Sequence, residues 1–265
     1  MGSPGQAEST DFRLAAKPLA LIKKRIMKFF LTILTITMAL VSFGQDFEFN
    51  YNNDYNKILS QTNDSSSNLF YDKLLNRFNK NDTTLSDYEV LCLLIGYTDN
   101  IYFKPYNYLK TEREIYDLND EGKYNIVIVK CDSFLNFVPV SQQALIEKSF
   151  AFHKLGKKDS ADFYSWKFQK IMWAMYRSGN GLTPETAFFS LGPADGQNFI
   201  TKFFRSEIGI MGSGHDKNGN FVDILEIIVK DEKTGEVNKK KLYFQIEHAV
   251  KKMFSPEEFK QLEDD

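Results

Sequence analysis

Two glycine–lysine pairs constrain this chain more than any other feature. Gly122-Lys123 and Gly156-Lys157 each close an amphipathic segment, and they stand 34 residues apart. Counted from the glycines, Leu118 corresponds to Phe152 and Val127 to Ala161. A glycine allows the backbone to turn through positive φ, so two helices meet in a tight hairpin, and a small residue five positions later lets the second helix pack closely. From Tyr55 to about Tyr176, Gly and Pro are sparse and apolar residues recur at helical spacing. Phe70, Leu74 and Phe78 form one stripe with Leu75 beside them. Leu91, Leu94 and Ile95 start another helix behind a cap at Ser86 or Asp87. Asn63–Asn68 (NDSSSN) reads as a polar loop or cap.

A 34-residue period of helix pairs is the tetratricopeptide period. The stretches GKYNIVIVKCDSFLNFVP and ALIEKSFAFHKLGKKDSADFYSWKF resemble that family's pattern, with Pro139 where its second helix usually ends. The pattern is departed from at Thr111 and Lys148, and Trp173 stands where a terminal proline would follow. The likeness covers about two repeats. Stacked helix pairs share their core with neighbours, so the upstream helices are expected to act as a degenerate repeat or cap. What the resemblance implies is a concave face that binds peptide or protein. Its positions are Glu112, Tyr116, Asn119 and Asp120 from the first unit, and Phe150, His153 and Lys154 from the second. The plainer alternative is that these side chains only solvate or close the superhelix.

Composition shifts after Tyr176. Ser178-Gly-Asn-Gly181 is a turn sequence, and Thr183-Pro184 favours extended or turn backbone. Ala187–Leu191 reads as a short strand, and Pro193 to Phe204 as a helix with Phe199, Phe203 and Phe204 on one side. Phe221–Lys230 and Lys241–Glu247 read as strands, with hairpin turns at Asn218-Gly219 and Thr234-Gly235. Ser255-Pro256-Glu257-Glu258 is a helix start. The fold class is therefore α+β: an N-terminal α-helical hairpin array over 45–178, then a small α+β module with antiparallel strands over 179–265.

The N-terminus reads as an address. Lys23, Lys24, Arg25 and Lys28 precede an uncharged run from Phe29 to Gln45, and Ser42 and Gly44 supply small residues two apart. That order is a secretory signal over 27–44, cleaved between Gly44 and Gln45, behind an upstream extension over 1–26. An uncleaved anchor is the alternative, but the apolar run is shorter than the roughly 20 residues a membrane span prefers. Removing residues 1–44 leaves 27 basic against 33 acidic residues, a net charge of −6. A mildly acidic chain has no general attraction for nucleic acid or anionic lipid. Periplasmic or secreted residence follows, with no stable membrane span after cleavage.

The tests for chemistry are mostly negative. His215-Asp216 suggests proton transfer, but adjacency does not create the needed geometry, and G-x-S-x-G is absent. Asp216, Asn218 and Asn220 imitate a calcium loop, yet Phe221 and Ile227 stand where glycine and glutamate are required. Gly209–Gly214 lacks G-x-G-x-x-G order, and His153, His215 and His248 make no zinc motif. Lys239–Lys241 reads as a solvated edge. Cys92 and Cys131 read as buried small hydrophobes able to form a disulfide in an oxidising compartment.

The expectation is thus an exported, non-enzymatic protein- or peptide-binding scaffold with no cofactor, metal or nucleic acid, whose partner lies in the cell envelope. The alternatives are a ligand-binding or hydrolase-like centre at His215 and Asp216, and a purely structural envelope protein. The signal ending SFGQ, the helical region, GNGLTPETAF, GHDKNGNFVDILEIIV and the YFQI strand together resemble a family of secreted Bacteroidota proteins, domain of unknown function 4919, across most of 46–255. That resemblance implies no activity, since none is assigned to the family.

Overall fold

The structure is a computed structural model that describes residues 48–230 and 237–253. The extension, the signal with its Gly44/Gln45 cleavage pair, the Thr234-Gly235 turn and the helix start at Ser255 lie outside the described residues.

Three helices open the fold: α1 (Tyr51–Asn63), α2 (Tyr71–Asn79) and α3 (Asp87–Tyr97). Ser86 starts α3 with a capping box. Its hydroxyl accepts from the Glu89 backbone N–H at 3.2 Å, while the Glu89 carboxylate accepts from the Ser86 backbone N–H at 2.8 Å. Every residue from Val90 to Tyr97 is buried. A helix apolar on all sides must be surrounded, and α3 packs against α1, α2 and α7.

Four more helices follow: α4 (Pro105–Asp120), α5 (Tyr124–Leu135), α6 (Gln142–Lys154) and α7 (Lys158–Arg177), with a glycine turn after α4 and another after α6. Their turns repeat bond for bond. Gly122 has φ +73° and Gly156 φ +71°. Lys123 N–H donates to the Leu118 carbonyl, and Lys157 N–H to the Phe152 carbonyl, both at 2.9 Å. This is the six-residue closure that a left-handed glycine permits at a helix end. Val127 and Ala161 are buried at matching places on the second helices. Lys148, a departure from the repeat pattern, is only 2% exposed. Its ammonium donates to the Asp132 carboxylate and, at 2.7 Å, to the Tyr164 hydroxyl, so its charge enters the interior with partners.

Beyond α7 come a 3-10 turn (Pro184–Thr186), β1 (Phe188–Phe189), α8 (Pro193–Asn198) running on as a π turn (Phe199–Phe203), β2 (Glu207–His215), β3 (Phe221–Lys230), β4 (Val237–Gln245) and α9 (Glu247–Val250). The sheet order is β1-β4-β3-β2. β2–β3 and β3–β4 are antiparallel, but β1 pairs parallel with β4, so the sheet is mixed rather than antiparallel throughout. The reason lies in the chain leaving α7. Ser178 Oγ accepts from Phe189 N–H at 2.7 Å and the Gly181 carbonyl accepts from Tyr243 N–H at 2.9 Å, which lays β1 alongside β4 in the same direction.

β2 went unexpected because Gly209, Gly212 and Gly214 weaken a strand signal. Between Ile208 and Met211 two residues oppose Glu226 alone, a bulge in which a Cβ at Gly209 would run into the Glu226 carboxylate. β4 starts before Lys241 and ends at Gln245, because Glu247 already belongs to α9. The three lysines Lys239–Lys241 are exposed on the stretch of β4 that β1 does not cover. One hydrophobic cluster runs from α3 and α7 into the sheet. Phe188 lies 5.0 Å from Phe199 and 5.7 Å from Phe244, ring centre to ring centre, which accounts for part of the phenylalanine content.

Candidate functional site

Helical spacing places Glu112, Tyr116, Asn119 and Asp120 on one face of α4, and Phe150, His153 and Lys154 on one face of α6. Six of these seven line a single groove of about 630 Å³ between α4, α6 and the start of α7. Glu112 stands apart and lines an adjoining groove of about 520 Å³, together with Tyr116 and Lys202. Tyr116 is 50% exposed and Phe150 43%, a large apolar presentation for two neighbouring sites. Lys154 Nζ sits 5.1 Å from the Phe150 ring centre, and His153 and Asp120 are exposed on the wall.

The floor is built from buried polar groups. Asn119 is 4% exposed. Its Nδ2 donates to the Glu147 carbonyl at 2.8 Å and to Glu147 Oε2 at 2.7 Å. Those two bonds fix which way the amide faces, and its buried Oδ1 accepts no hydrogen bond. Glu147 is held in turn by Lys202 Nζ at 2.6 Å and Gln143 Nε2 at 2.9 Å, both on Oε1. Lys202 reaches in from the π turn after α8, so the chain beyond α7 supplies part of this floor. Sequence reasoning missed Glu147, Lys202, Tyr124 and Asp162. Only the four-residue spacing of Gln143 and Glu147 on α6 was available as a signal.

Glu112 has a different setting. Its carboxylate accepts from Ser141 Oγ at 2.7 Å and borders a small cavity of about 40 Å³ that Asp195 of α8 also lines. Asp195 accepts from Leu191 N–H at 3.0 Å. Burial pushes both carboxyls up, and the Glu112 charge pushes Asp195 further, well above the usual range. Nothing in the sequence flagged Asp195.

The alternative centre does not assemble. His215 is exposed, with its ring 4.3 Å from that of Phe221. Asp216 Oδ1 accepts from Asn218 and Asn220 N–H at 2.7 and 2.9 Å, and Oδ2 from Asn52 and Asn220 amides at 3.1 and 2.7 Å. Burial works against that carboxylate, but the surrounding donors outweigh it and hold it below its ordinary value. The carboxylate is spent on tying the hairpin to α1.

Among the described residues there is no group of three or more His, Cys, Asp or Glu able to hold a metal ion, and no helix long and apolar enough to cross a membrane. Cys92 and Cys131 are both buried free thiols. No curated protein and no solved structure matches this chain. A family model does match, over residues 56–255, and the chain belongs to that family, described as domain of unknown function (DUF4919).

Proposed function

We propose that this protein is a non-enzymatic scaffold of the cell envelope, exported by its N-terminal signal, that holds a peptide or protein segment in the groove between α4, α6 and α7. In this reading α4–α5 and α6–α7 are tetratricopeptide-like repeats and the exported form begins at Gln45. One observation carries it: Asn119, a residue of the groove, keeps a buried Oδ1 that accepts no hydrogen bond while Glu147 fixes its amide, and the exposed rings of Tyr116 and Phe150 line the same groove. A buried acceptor left unpaired costs about 1–3 kcal/mol. A polypeptide supplies the complement, a backbone N–H for the oxygen and side chains for the rings.

The test is affinity purification of the exported protein from its native envelope fraction, with partners identified by mass spectrometry. A near-stoichiometric partner retained by the wild type and lost by Tyr116→Ala/Phe150→Ala supports the reading. A partner retained by that variant, or none after mild cross-linking at low salt, overturns it. N-terminal sequencing of the same material tests export, since an intact Met27 in the membrane pellet contradicts cleavage at Gln45.

A further inference from the structure

The groove does not end at Tyr116. Tyr116 and Lys202 also line the adjoining hollow of about 520 Å³, where Glu112, Arg113 and Asp117 stand on α4. A segment lying on the Tyr116 and Phe150 rings therefore has a continuous path past Glu112.

The charges along that path do not balance. Lys202 is already bound to Glu147 at 2.6 Å. Arg113 and Asp117, four apart on α4 and both exposed, offset one another at the rim. Among the described residues neither Glu112 nor Asp195 makes an ion pair. The positive charge that acts on Glu112 is that of Lys202, and Asp195 feels the Glu112 charge in turn. Glu112 Oε1 accepts from Ser141 Oγ at 2.7 Å. Its Oε2 accepts no hydrogen bond from the described residues, yet it is not among the buried atoms sealed from solvent. A carboxylate oxygen in that state keeps its lone pairs open to a donor from outside. Burial disfavours the Glu112 charge, and a cation arriving with a ligand restores it.

Spacing sets where that cation must stand. Glu112 and Tyr116 are four residues apart on α4, about 6 Å along its axis. In an extended segment, side chains two residues apart point the same way and are spaced about 6.6 Å. We infer that the segment held in the groove carries a lysine or arginine two residues from the side chain that rests on the Tyr116 and Phe150 rings, with its cation seated on Glu112. This rests on the groove being a polypeptide site, as proposed above, and names the chemistry of the occupant.

Selection of phage-displayed random nonapeptides on the immobilised full chain tests this, at physiological ionic strength so that long-range attraction is screened. The enriched pool should pair a bulky apolar residue with Lys or Arg two positions away, in one chain direction or the other. The same selection on Glu112→Gln, whose amide oxygen still accepts from Ser141, should keep the apolar position and lose the basic one. Fluorescence polarisation with the most enriched peptide then closes a cycle. Replacing its basic residue by norleucine should weaken binding to the wild type about ten- to a hundredfold, the effect of one charge-assisted bond, and leave binding to Glu112→Gln unchanged. A pool with no basic preference, or equal weakening of both peptides by Glu112→Gln, overturns the inference. In those cases binding that still depends on Tyr116 and Phe150 leaves the groove reading standing. A pool indifferent to Tyr116→Ala/Phe150→Ala, or no enrichment at all, removes both.

Discussion

The ion pair under the groove makes an asymmetric prediction. Glu147 keeps 8% of its side-chain surface exposed and Lys202 keeps 24%. Breaking a buried pair by removing one partner costs about 3–5 kcal/mol, because the other charge stays buried without compensation. Lys202 does not meet that condition fully, since its flexible stem lets the ammonium move to water. Glu147→Gln should therefore cost only about 1 kcal/mol: the amide oxygen keeps the bond from buried Asn119, while part-exposed Gln143, which bonded the other carboxylate oxygen, and Lys202 turn to water. Lys202→Met leaves the Glu147 charge enclosed, with two neutral donors to soften the loss, and should cost about 2–3 kcal/mol. For a chain of this size that lowers Tm by roughly 4–12 °C. Urea unfolding of both single variants and the double variant gives the cycle. The double variant should lie close to Glu147→Gln alone, with a coupling of about 2–3 kcal/mol. Equal costs for the two single changes, or strict additivity, would refute the claim that the carboxylate is the trapped partner.

Four further outcomes follow from the same structure. Burial pushes the Cys92 and Cys131 thiols up to about 12, so iodoacetamide at pH 8 should leave the native mass unchanged and add two labels in denaturant; labelling of the native protein contradicts the buried placement. Gly156→Ala meets no atom within 4 Å but is forced to φ +71°, so the loss is backbone strain of about 1–2 kcal/mol, read as a lower urea midpoint. Tyr116→Ala/Phe150→Ala removes exposed rings and should shift stability by about 1 kcal/mol or less, so a large loss in thermal melting means those rings hold the fold instead. Burial raises Asp223 to about 6, so the native state binds more protons than the unfolded chain between pH 4 and 6, and stability falls as pH rises through that window. Asp223→Asn should therefore raise Tm at pH 7, by about 1–2 kcal/mol equivalent after allowing for partial solvation, and the gain should vanish near pH 4.

Local signals and distant ones were not equally legible in this sequence. The hairpin turns at Gly122 and Gly156, the Ser86 cap and strand β3 depend on neighbours within a few residues, and the expected residues occupy them. The tetratricopeptide resemblance implied seven positions on the faces of two helices, and six of them line one groove, because a face of a helix is a local property. What could not be read is what arrives from elsewhere in the chain. Lys202 meets Glu147 across 55 residues, Asp195 approaches Glu112 from another helix, and the direction of β1 depends on a hydroxyl at Ser178. β2 was hidden for a different reason: its glycines suit a bulged edge strand, while sequence propensity reads them as loop.

The enclosure of α3 has a consequence in time. Part of its apolar surface is covered by α7, which ends at Arg177, whereas α3 itself ends at Tyr97. A ribosome adds about 5–20 residues per second, so roughly 80 residues of synthesis separate the helix from its cover. For about 4–16 s the run Val90–Tyr97 is a sticky segment in search of any partner, and a holding chaperone at that site would protect the nascent chain until its own C-terminal helices exist.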